Sequence, residues 1–128
     1  MILPCETASK VVIPAVRAYI ARELVVTHDL KQERVARILG ITQSAVSKYA
    51  SRTRGNILKI DDIQEAKPML TELVMLAASD EEFSRNRFLQ KFCETCKTIR
   101  KTGVMCPLCK KANAGTEFEE CRFCLEQV

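Results

Sequence analysis

The chain has 128 residues, 47% of them apolar and 28% charged, with a net charge of +4. That length holds one domain with an appendage, or two small ones, and no run approaches the roughly 18–20 uninterrupted apolar residues of a membrane span. The longest apolar region, residues 11–20, is broken by Pro14 and Arg17. Charge is unevenly placed. Residues 1–60 carry a net +6, residues 61–92 a net −3 and residues 93–128 a net +1. The first half is therefore expected to meet a polyanion. No basic stretch followed by an apolar core opens the chain, so no secretion signal is read and a cytoplasmic location is expected.

Pro4 and Glu6 suit a helix beginning near the amino terminus, and Pro14 suits the first turn of a second one. From Pro14 to about Val26, the residues Val16, Tyr19, Ile20 and Leu24 recur at helical spacing, with Arg17, Arg22 and Glu23 opposite them. A core helix is expected there. His28, the one histidine, is read as a helix-end cap rather than a ligand.

Residues 32–49, QERVARILGITQSAVSKY, have the layout of a DNA-binding helix-turn-helix. Such a motif requires two short helices packed steeply about a tight turn. Ala36 is small where the helices touch, and Gly40 stands where a positive φ is cheap for glycine. Val35, Leu39, Ile41, Val46 and Tyr49 fall on the core side, and Thr42 is placed to cap the second helix. Gln43, Ser44, Ser47 and Lys48 form a polar outward face of side chains able to reach base edges in a major groove. Gly55 and Asn56 end the pattern.

Asp61 or Asp62 is expected to cap a helix reaching about Ala78, with Ile63, Leu70, Leu73, Val74, Leu76 and Ala77 on its apolar face and a bend or split at Pro68. Ser79, with Glu82 three residues later, reads as a capping box. It would open a helix carrying Phe83, Phe88, Leu89, Phe92 and Ile99 and ending near Thr102 and Gly103.

Six of the seven cysteines form three Cys-x-x-Cys pairs, Cys93/Cys96, Cys106/Cys109 and Cys121/Cys124. Two thiolates at this spacing grip one metal centre, and tetrahedral Zn²⁺ or an Fe–S cluster needs four ligands. The first pair would share one face of the last long helix; the others lie in turn-rich sequence around a small hairpin. Cys106, Cys109, Cys121 and Cys124 are the tidiest set, and Cys93/Cys96 with either other pair is nearly as good. Three readings stand: a structural Zn²⁺, an Fe–S cluster (4Fe–4S foremost) that senses redox or iron state, or dithiol/disulfide switches without metal. Cys5 reads first as a small buried apolar residue, and second as an extra ligand tying the amino terminus to the tail.

The helix-turn-helix resembles the Cro/phage-repressor type. Together with Leu3-Pro-Cys-Glu6, Pro14-Ala-Val-Arg17 and the cysteine pairs, it resembles a family of small archaeal predicted transcriptional regulators. That resemblance implies that Gln32 bonds a phosphate, that Gln43, Ser44 and Ser47 read bases, and that Lys48, Arg52 and Arg54 reach backbone or base edges. Thr42 belongs to the same DNA-binding set.

The expected molecule is mostly α: a helix-turn-helix DNA-binding domain (1–56), a helical connecting or dimerising segment (57–92) and a Cys-rich metal-binding tail (93–128). Its expected function is sequence-specific transcriptional regulation, as a homodimer on an operator in double-stranded DNA. No small-molecule substrate and no membrane partner are expected. The apolar faces of the helices at 61–78 and 80–101 are candidates for the dimer seam or for monomer core. The alternative is a zinc-ribbon protein associated with RNA or translation. No βαβ pattern surrounds a Cys pair and no catalytic His or carboxylate constellation is visible, so an enzyme is not expected.

Overall fold

The first helix frames the molecule. In the computed structural model, which describes residues 1–79, 84–115 and 121–126, α1 spans Pro4–Arg22. Pro4 stands in the first turn, where its missing N–H costs nothing, and the Glu6 carboxylate accepts the Leu3 N–H at 3.2 Å. Pro14 does not start a second helix, contrary to expectation: it lies inside α1. The physical reason is burial. Val11, Val12, Val16 and Ile20 flank it in the core, and about 1.5–3 kcal/mol for each such side chain outweighs the roughly 3 kcal/mol cost of an internal proline.

Beyond Arg22 the chain widens into a single π-helical turn, Glu23–Thr27, closed by the His28 backbone N–H donating to the Glu23 carbonyl at 3.0 Å. His28 thus occupies the helix end through its backbone. Two short helices follow, α2 (Gln32–Leu39) and α3 (Gln43–Ala50), then α4 (Lys67–Ala78), α5 (Arg85–Lys101) and α6 (Cys106–Ala112). Among the described residues every regular element is helical, as the mostly-α reading expected. α1 touches α3, α4, α5 and α6, while α2 packs on α3 and α4 on α5.

Several boundaries differ from expectation. α4 begins at Lys67, not at Asp61 or Asp62. Residues 60–66 make turns instead, and Asp61 is drawn to Arg22, 3.5 Å away across the fold. Pro68 therefore sits harmlessly in the first turn of α4 and bends nothing. α5 is capped by Ser84, whose hydroxyl accepts the Arg87 N–H at 3.3 Å, rather than by Ser79, which ends α4. Glu82 and Phe83 lie outside the described residues. α5 ends at Lys101, beside Thr102, as expected. Cys106 to Cys109 is helical, not turn-like, because Pro107 in the first turn of α6 supplies a helical φ at no loss. The hairpin expected after Lys110 loses its first arm to α6, and residues 116–120 lie outside the described residues.

Leu70, Leu73, Val74 and Ala77 of α4 and Phe88 and Ile99 of α5 are in the core, so these faces are largely used within the chain. Lys91 on α5 bonds Glu72 on α4 at 3.2 Å.

The loop after α3 is pressed onto α1 at Gly55. Its φ is +74°, and a Cβ there would stand 2.5 Å from the Pro14 carbonyl oxygen and 2.7 Å from the Ala18 Cβ. Gly40 has φ +67° but open space around it. Gly40→Ala should cost about 1–2 kcal/mol for left-handed backbone alone. Gly55→Ala should cost about 2–4 kcal/mol, because overpacking adds to the strain. Urea unfolding of the two variants separates them; equal losses would show that the loop does not rest on α1.

Candidate nucleic-acid interface and cysteine centre

The α2–α3 hairpin is built by its turn. Gly40 in the left-handed region lets the chain reverse, and the Ile41 N–H reaches back to the Ala36 carbonyl at 3.0 Å. Thr42 caps α3, its hydroxyl accepting the Ala45 N–H at 3.0 Å. Val35 and Ala36 of α2 and Ala45, Val46 and Tyr49 of α3 are buried, and Leu39 and Ile41 are half-buried at the core edge. This packing leaves Gln43, Ser44, Ser47 and Lys48 exposed on one side of α3, with Gln32 half-buried at the start of α2. All these positions match the sequence expectation.

The end of α3 was not foreseen. The Thr53 N–H bonds the Lys48 carbonyl at 2.9 Å and the Arg52 N–H bonds the Tyr49 carbonyl at 3.2 Å, the two crossed bonds of a Schellman ending. Its left-handed position, normally glycine, is held by Arg52 at φ +64°. Arg54 lies over the Tyr49 ring, 5.8 Å from the centroid. Ser51, Arg52, Thr53 and Arg54 are exposed together next to the polar face of α3. Ser51 and Thr53 were missed in the sequence because nothing local marks an arginine for left-handed backbone.

The seven cysteines are free thiols and separate by neighbourhood. Cys106, Cys109, Cys121 and Cys124 line one cavity with Pro4, Arg100, Met105 and Lys110. Cys93 and Cys96, on α5, lie outside that lining; the charges felt by Cys96 are those of Arg100, Cys93 and Cys5. Cys5 is exposed, which overturns its reading as a buried apolar residue. Its sulfur instead accepts from Arg100 Nη2 at 3.8 Å, while Arg100 Nε donates to the Cys124 sulfur at 3.4 Å. The guanidinium therefore bridges the amino terminus and the tail, 95 and 24 residues away in sequence.

Burial pushes the Cys109 thiol up from its ordinary pKa, outweighing the Thr7 hydroxyl beside it. Burial also raises Cys96, against the pull of Arg100. Among the described residues no group of three or more His, Cys, Asp or Glu side chains is drawn together to hold a metal ion. The donor chemistry fits one nonetheless: four sulfurs from two Cys-x-x-Cys pairs share one cavity.

The tail is stapled to the amino-terminal residues ahead of α1 by Asn113. Its amide accepts the Ile2 N–H at 2.8 Å and donates to the carbonyls of Ile2 and Cys109, each at 3.0 Å. Asn113 is buried, so Asn113→Ala should cost about 1–3 kcal/mol by stranding these groups. Hydrogen exchange at Ile2 should quicken in the variant; an unchanged rate would mean that the staple does not hold the amino terminus. Set against known proteins, the chain matches no family model, no curated protein and no solved structure.

Proposed function

We propose that this protein is a sequence-specific regulator of transcription that reads duplex DNA with α3 and carries a thiolate-bound metal centre, zinc or Fe–S, at its cysteine-rich end. The observation that carries the reading is Arg52. A residue other than glycine at φ +64° is strained, by about 1–2 kcal/mol, and such strain persists where a side chain is needed. Here it sits at the foot of an exposed Gln43, Ser44, Ser47 and Lys48 face, with Arg54 beside it. Cations flanking short hydrogen-bonding side chains suit phosphates at the rim of a major groove and base edges within it. The net +6 of residues 1–60 supports a polyanionic partner.

In this reading Gln32, Lys48, Arg52 and Arg54 hold phosphate or the edge of the groove, and Gln43, Ser44 and Ser47 select sequence. Thr42 fixes the start of the reading helix. An eight-residue helix spans few base pairs, so two copies on a pseudo-palindrome are proposed. The metal centre braces the end of α1 opposite the π-turn, stabilising the tail or reporting redox or iron state.

Selection from a random duplex pool would supply a site, and anisotropy titrations would then test the residues. Gln43→Ala and Ser44→Ala should each lose about 1–3 kcal/mol of discrimination between site variants. Arg54→Ala should weaken all duplexes alike and reduce the salt slope by about 1. Arg52→Gly should stabilise the chain by relieving the strain while weakening DNA binding, opposite signs that a merely structural Arg52 would not give. Tighter binding to structured RNA than to any selected duplex would refute the DNA reading.

A further inference from the structure

Two hydrogen-bond donors at the cysteine-rich end face acceptors too weak for them. Arg100 is 7% exposed and permanently charged, and its side-chain partners among the described residues are sulfurs. Sulfur is a weak acceptor for a buried guanidinium, which is better matched by an anion. The Thr7 hydroxyl, 5% exposed, lies beside Cys109 and finds no partner at full hydrogen-bond geometry among the described residues. One donor comes from α5 and the other from α1, and each stands next to a cysteine of the four that line the cavity. A metal-bound thiolate is anionic and would satisfy both.

Size then narrows the ligand. A divalent ion with four thiolates carries a net −2, as does a 2+ iron–sulfur cluster, and the cavity wall offers two cations, Arg100 and Lys110, to either. The cavity has a volume of about 20 Å³. A single buried water needs roughly 10–15 Å³. That space suits one ion, whereas a cluster of several irons and sulfides needs several times more.

Resting on the reading that the cysteine-rich end binds metal, we propose that Cys106, Cys109, Cys121 and Cys124 hold one thiophilic divalent ion of the Zn²⁺ kind, with Arg100 and Thr7 as positioning residues that donate to the Cys124 and Cys109 sulfurs. On binding, each thiol gives its proton to solvent and the sulfurs close on the ion, so the weak acceptors become strong ones. Cys5, Cys93 and Cys96 are not ligands of this ion.

The test uses the full chain, purified anaerobically and assayed for zinc, iron and acid-labile sulfide, then exchanged with Co²⁺. About one zinc per chain without sulfide is expected. Cys109→Ser should lose the ion and Cys93→Ser should keep it. Arg100→Met should weaken metal affinity by about 10–100-fold and move the Co²⁺–thiolate absorption band, with partial recovery in Arg100→Lys. Should Arg100→Met fail to fold by circular dichroism, the same band shift is read in Thr7→Val. Iron with sulfide would overturn the single ion while leaving a metal-binding tail in place, and a chain that takes up no metal would overturn both. Wild-type affinity and band in the Arg100 and Thr7 variants would remove their positioning role. Loss of the ion in Cys93→Ser but not in Cys109→Ser would overturn the ligand set.

Discussion

Burial of the Val12, Val16 and Ile20 side of α1 is the interaction on which the remaining elements depend, because α1 is the helix that α3, α4, α5 and α6 all touch. Its 19 residues span about 28 Å at 1.5 Å per residue, long enough to serve two different regions. Lys10, Val11 and Pro14 in its middle border the turn that ends α3. Its first turns carry Cys5 and Thr7 into the cysteine-rich end. The alanines at 8, 15, 18 and 21 are all buried, and small side chains let neighbouring backbones approach closely. Gly55 takes that logic to its limit, since even a methyl group has no room there.

Thr7, Thr95, Arg100 and Asn113 are the buried polar residues described, and three of them join segments far apart in sequence or stand beside the cysteines. Thr95 is satisfied locally by the Lys91 carbonyl at 2.7 Å. Asn113 and Arg100 work at long range, one holding residue 2 and the other residue 5 to the tail. Beyond α5 the chain thus adds directional bonds to the small apolar contribution of Met105, Cys109 and Cys124.

What could be read from the sequence follows the reach of the interactions involved. The α2–α3 hairpin was legible to the residue because Gly40 and Thr42 act within four positions of themselves, through a backbone angle and a cap. The starts of α4 and α5 were not, because Asp61, Asp62 and Ser79 all resemble caps locally. Asp61 is instead satisfied by Arg22, a partner 39 positions earlier, and Ser84 holds the cap of α5. Pro14 misled for the same reason: its local preference lost to burial supplied by other helices. The cysteine spacing marked the three pairs but not which of them share a cavity. That depends on where α5 and α6 meet α1, and on an arginine that no ligand pattern contains.

The two ends of the fold have α1 in common. Cys93 and Cys96 ride on α5, but the cavity's second element is α1, through Pro4 and the adjacent Thr7. Pro14, against which Gly55 and hence the end of α3 is seated, lies about 14 Å along α1 from Cys5 at the helical rise. Over that length α1 is held by close-packed neighbours. A change at the sulfurs that shifted the first turn of α1 would therefore be felt at the seat of Arg52 and Arg54. A change that left α1 in place would not reach them, however strongly it altered the tail.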